Sequence, residues 1–160
     1  MKVIYSSYWG SYLAVVAASL HLGYIDFNEY NAESISALPL FNKIKNEDLG
    51  EMLFIGTDEK KRDVYVIGSK KTGNILEKAI KGIADIYGYR KDLVLFIDLN
   101  SHMNIFLCIG IFLTKRLGLS KTGTTIILKG VEWKYDVLKR IVQYVKSQPI
   151  YEVAKPGVAK

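Results

Sequence analysis

The sequence predicts an α/β fold: a single three-layer domain with a mostly parallel sheet of about five strands and one antiparallel hairpin. Three observations predict it. Short runs rich in β-branched and aromatic residues alternate with longer helical patterns along the 160 residues. One run, 92–98 (DLVLFID), is apolar almost throughout, as a strand covered on both faces is. Two further strand-like runs, 51–57 and 63–69, are separated only by DEKKR, the spacing of a hairpin.

The elements follow in chain order. Residues 2–6 (KVIYS) form the first predicted strand, and 6–11 a polar turn containing glycine. A helix over 12–22 ends at Gly23, where a left-handed residue is expected. A short helix over 32–38 stops at Pro39. After the hairpin, a helix over 73–88 places Ile75, Leu76, Ala79, Ile80, Ile83, Ala84 and Tyr87 on one apolar face. The strand over 92–98 leads through the turn 99–102 into an apolar helix over 103–117 that closes near Gly118. Residues 124–128 (TTIIL) read as a fifth strand and 131–147 as a terminal helix. The domain is thus expected over 1–147, with a loosely held tail over 148–160 that contains two of the three prolines.

Composition limits function. With 49% hydrophobic and 24% charged residues, wholesale disorder is excluded. The net charge of +6 is uneven: residues 1–59 hold three bases against eight acids, a net −5, and residues 60–160 carry +11. A basic balance suits nucleic acid, anionic lipid or a phosphorylated small molecule. The bases are dispersed, however, the longest run being Lys60-Lys61-Arg62, and no nucleic-acid-binding signature is present, which argues against nucleic acid. The apolar stretch 12–22 could imitate a signal-peptide core but is explained by a buried helix after a strand, and 103–113 is shorter than a membrane span and reads as a buried helix, so no membrane association is expected. One cysteine, Cys108, allows no intramolecular disulfide and agrees with a cytoplasmic, reducing location. The two histidines, His21 and His102, lie far apart, and neither a metal nor a cofactor is expected.

Ligands of open α/β sheets lie beyond the carboxyl ends of the strands, which selects two turns. In the first, Ser6, Ser7, Gly10 and Ser11 offer N–H and O–H donors to an anion, although no GxxxxGK[ST] pattern is present. The alternative is that Ser11 caps the helix and Trp9 packs. In the second, Asp98 and His102 could form an orienting carboxylate and a general acid/base, or Asn100 and Ser101 could simply cap the next helix. A third turn, 69–74 (SKKTGN), could hold a phosphate on Lys70 and Lys71 or be a solvated helix start, and 121–124 repeats that ambiguity. Lys115 and Arg116 need no ligand, because a helix carboxyl end favours cations, and His21 at the end of its own helix is explained the same way. Cys108 reads as a small buried apolar residue. Tyr5, Tyr8, Trp9 and Tyr12 form an aromatic cluster suited to a core or to stacking.

The order KVIY, glycine turn, AVVAASLHLG, LPLF, LFIGTDEKKRDVYVIG, ILEKAIKGIADIYG and N-x5-G-x5-RLGL resembles a small uncharacterised family of anaerobic, spore-forming Firmicutes, a domain of unknown function, from residue 1 to about residue 130. That family carries no established activity. Its first turn has a Cys, a Gly-Gly pair and a His followed by two serines; here Ser7, Trp9-Gly10 and Tyr12-Leu13-Ala14 stand at those places, while Asn104, Gly110, Arg116 and Gly118 are retained. The resemblance therefore implies a degenerate paralogue, deprived of its most reactive groups but able to bind an anion or to pair with a related protein or a second copy. The expectation is a non-catalytic domain binding a small anion or a protein partner, through Ser6, Ser7, Gly10 and Ser11 supported by Asn104 and Arg116. The alternative is a hydrolase or transferase acting on a phosphorylated small molecule through His102 and Asp98.

Overall fold

The structure, a computed structural model, describes residues 1–149. Its elements are β1 (Lys2–Ser7), α1 (Leu13–Leu22), α2 (Ala32–Ser36), β2 (Met52–Thr57), β3 (Asp63–Gly68), α3 (Gly73–Ile86), β4 (Val94–Asp98), α4 (Ile105–Arg116) and α5 (Ser120–Ser147). The strand order is β2-β3-β1-β4. β1 lies at the centre, parallel to both β3 and β4, and β2 pairs antiparallel with β3. Among the described residues the sheet therefore has four strands and is mixed, where about five and a mostly parallel arrangement are expected from sequence.

The missing strand lies inside α5. TTIIL has strand propensity, but Gly123, Ile127, Gly130 and Val131 recur at helical spacing and are all buried. Gly123, Ile127 and Gly130 face α4, and the crossing is unusually close: a Cβ on Gly110 would lie 2.7 Å from Ile127 Cγ1 and 2.8 Å from the Gly123 carbonyl oxygen. Tertiary packing overrides the local preference. The tail expected over 148–160 falls, from residue 150 on, outside the described residues.

Period-two alternation sorts the strands between two faces. Val3, Tyr5, Val64 and Val66 point into the main core with α1, α4 and α5. Ile4, Ile67 and Phe96 point to the other face, where Leu76 and Ile80 of α3 cover them. α1 is buried from Leu13 through His21, as expected of a helix that is apolar all round and enclosed by sheet and helices. Its end at Gly23, in the left-handed conformation, agrees with the sequence. α3 is less well buried than its pattern implies: Ile75, Ile83 and Tyr87 are exposed, because the small cluster beneath reaches only Leu76 and Ile80.

His21 departs from expectation. Rather than a charged residue at a solvated helix end, it is enclosed, with Nδ1 accepting from the Tyr5 hydroxyl at 2.9 Å and Nε2 donating to Asp58 Oδ2 at 2.9 Å. Fully buried Arg62 donates Nε to the same carboxylate oxygen at 2.6 Å and Nη1 to the Val145 carbonyl at 2.9 Å. Burial pushes the His21 pKa down, outweighing the Asp58 bond that pushes it up. The network ties the hairpin turn to the end of α5 at the amino edge of the parallel strands.

Candidate anion-binding cleft

Parallel pairing carries the ends of β1, β3 and β4 to one edge of the sheet, and the turns that follow are laced together there. Ser69 N–H donates to the Ser7 carbonyl at 3.0 Å, Lys70 N–H to the Tyr8 carbonyl at 2.9 Å, and Leu99 N–H to the Ser6 carbonyl at 2.8 Å. Gly10, at φ 74°, lets the first turn lie directly on β3; a Cβ there would meet the Gly68 nitrogen at 2.8 Å.

Above these turns opens a cleft of about 920 Å³. Its cations come from two distant segments, Lys70 and Lys71 of the β3–α3 turn and Lys115 and Arg116 at the end of α4. Its apolar lining is Tyr8, Trp9, Met103, Ile111 and Phe112, and Asn46, Asn100 and Cys108 complete it. Lys115 is anchored, donating to the Ile44 carbonyl at 3.0 Å with its ammonium 5.6 Å from the Trp9 ring centre. Burial lowers its pKa. Lys70, Lys71 and Arg116 make no ion pair among the described residues. Lys70 also sits at φ 48°, a left-handed position that costs a non-glycine residue about 1 kcal/mol or more. Beside it, Asn100 donates Nδ2 to Ser69 Oγ at 3.4 Å, while its Oδ1 is buried without a partner among the described residues.

The residues expected to bind the anion divide sharply. Ser6, Ser7 and Ser11 are buried, and their hydroxyls are used inside the chain. Ser6 bonds Ser69 Oγ at 2.7 Å, Ser7 Oγ accepts from Gly10 N–H at 3.2 Å, and Ser11 Oγ accepts from Ile44 N–H at 3.1 Å. These serines build the floor beneath the cleft instead of lining it, and Ser11 does not cap α1, whose first turn has no side-chain cap. Asn104 is also structural: Oδ1 accepts from Leu107 N–H at 2.9 Å to cap α4, and Nδ2 donates to the Gly130 carbonyl at 2.8 Å. Arg116 alone of that set lines the cleft.

The acid/base pair is not assembled. Asp98 Oδ1 accepts from Asn100 N–H at 3.0 Å, and the carboxylate packs against Gly73 at the start of α3. His102 stands half-buried in the 3-10 turn Asn100–His102, where burial and then Lys134 lower its pKa. The two share no hydrogen bond, and neither lines the cleft among the described residues. Cys108, read as buried, is exposed and lines the cleft. Spacing held the signal for that: with Leu107, Gly110 and Ile111 turned inward, Cys108 and Phe112 fall together on another face of α4. No group of three His, Cys, Asp or Glu side chains could hold a metal ion among the described residues, and no described helix is long and apolar enough to cross a membrane.

A family model described as "Protein of unknown function (DUF3189)" matches residues 2–147. No curated protein and no solved structure matches the chain.

Proposed function

The chain belongs to the DUF3189 family, proteins of unknown function, and from that premise we propose that it is a non-catalytic binding protein whose cleft takes a small phosphorylated molecule. The observation that carries this reading is the convergence of Lys70, Lys71, Lys115 and Arg116 on one cleft, none of them with an ion-pair partner among the described residues. Like charges gathered this way repel one another, and an anion between them relieves the repulsion while gaining charge-assisted hydrogen bonds. The edge of the sheet is the one at which α/β folds bind ligands.

The non-catalytic part rests on Ser6, Ser7 and Ser11, which are buried with their hydroxyl oxygens bonded inside the chain, and on Asp98 and His102, neither of which lines the cleft among the described residues. It agrees with the reading of a degenerate paralogue in a Firmicutes family: Tyr12 and Leu13, where the resembled pattern has His and Ser, are buried packing residues. The exposed, unpaired thiol of Cys108 suits a reducing cytoplasm.

Titration calorimetry with inorganic phosphate, pyrophosphate and a sugar phosphate at fixed ionic strength tests the proposal. Saturable binding to one site is expected, weakened at least tenfold in Lys70→Ala/Lys71→Ala. The absence of saturable binding, or equal binding by that variant, overturns it.

A further inference from the structure

Phosphate alone leaves most of the cleft unexplained, since about 920 Å³ lies near the top of the range of roughly 300–1,000 Å³ that drug-sized ligands occupy. The remaining lining is apolar and continues outward. Ile105, Ile109 and Phe112 are 62%, 45% and 55% exposed. With Arg116 they fall at successive helical places along one ridge of α4. Exposed apolar residues scattered singly are ordinary; three in register that end on a cationic cleft form an amphiphilic track. Tyr8 and Trp9 do not stand as a parallel pair that would sandwich a flat base. Lys115 lies over the Trp9 ring, and Tyr8 packs against Trp9 with ring centres 5.7 Å apart and planes tilted by 55°.

Building on the reading of the cleft as a phosphate site, we infer that its ligand is an amphiphilic phosphate monoester. The phosphate lies among Lys70, Lys71 and Arg116, and a hydrocarbon chain runs along Phe112, Ile109 and Ile105. Charge complementarity at one end of the ridge selects this occupant over an uncharged one.

The test is titration calorimetry with methyl, butyl and octyl phosphate below the micelle threshold, at constant ionic strength. Each methylene buried adds about fourfold in affinity, the equivalent of about 0.8 kcal/mol, so octyl phosphate is expected to bind at least tenfold more tightly than methyl phosphate. Ile105→Ser/Ile109→Ser should flatten that series and leave methyl phosphate unchanged. Both side chains are exposed, and the thermal melt of the variant checks that the fold is kept. Lys70→Ala/Lys71→Ala should weaken all three ligands alike. A flat series in the native protein, with methyl phosphate bound, overturns the amphiphile and leaves the phosphate site standing; no binding of any of the three removes both. Sedimentation with phosphatidic acid vesicles, lost in the serine variant, identifies a lipid as the source, whereas chain-length dependence without sedimentation identifies a free amphiphile. A flat series together with a dimer that the serine variant dissociates assigns the ridge to a second copy of the chain and overturns the inference.

Discussion

Replacing Gly110 by alanine should destabilise the fold, although alanine is the better helix former. In an unconstrained helix the change would gain about 1 kcal/mol. Here the new Cβ would lie 2.7 Å from Ile127 Cγ1, 2.8 Å from the Gly123 carbonyl oxygen and 2.8 Å from the Ile127 nitrogen. Two of these three neighbours are backbone atoms of α5 and cannot rotate away, so the helices must separate by several tenths of an ångström. Overpacking of this kind costs typically 1–3 kcal/mol. With backbone against backbone the cost belongs at or above the upper end, which leaves a net loss of about 2 kcal/mol after the propensity gain. For a chain of this size that lowers the melting temperature by roughly 4–8 °C. Gly82→Ala supplies the control. It stands inside α3 with nothing within 4 Å of the added atom, so it should stabilise by about 0.5–1 kcal/mol. Urea unfolding of both variants beside the parent measures the difference. A Gly110→Ala protein at least as stable as the parent would refute the argument that the α4–α5 crossing is set by glycine contact.

Two further expectations concern polar groups in the core. Burial holds the His21 pKa below its unfolded value near 6.5, so the unfolded chain takes up a proton before the folded one does as pH falls. Asp58, held below the usual carboxylate range against the opposing effect of its burial by the Arg62 amide, His21 and the Arg62 guanidinium, adds stability above its unfolded value that is lost in acid. Unfolding free energy should therefore decline from pH 7 to pH 5, and His21→Gln should shallow that decline; an unchanged slope in the variant would remove His21 from the account. Asn104→Ala deletes the α4 cap and the additional hydrogen bond to the Gly130 carbonyl, which keeps its donor within α5, for a combined cost of about 2 kcal/mol. Urea midpoints measure it, with faster amide exchange expected at Leu107; an unaltered midpoint would show that the cap contributes nothing.

Local signals carried much of the fold and little of the site. The hairpin was legible because DEKKR is polar and the runs beside it are rich in β-branched residues, and α1 because Gly23 stops an apolar run. TTIIL misled, since five residues of strand propensity do not reveal that Gly123 and Gly130 bracket them for contact with another helix. The serine turn misled for a different reason. Small hydroxyl residues before a helix suit an anion and suit interior hydrogen bonding equally well, and only burial decides between the two. Lys70 and Lys115 are brought to one cleft by tertiary structure alone, and each had a sufficient local explanation, a solvated turn for one and a helix end for the other.

Cys108 is the only cysteine in the chain, and its thiol is exposed on the wall of the cleft. A thiol-selective reagent therefore has one address on this molecule, and that address is where occupancy matters. The rate of its modification would report directly on how crowded the cleft is. A single fluorophore attached there would sense what enters without any residue having to be changed first.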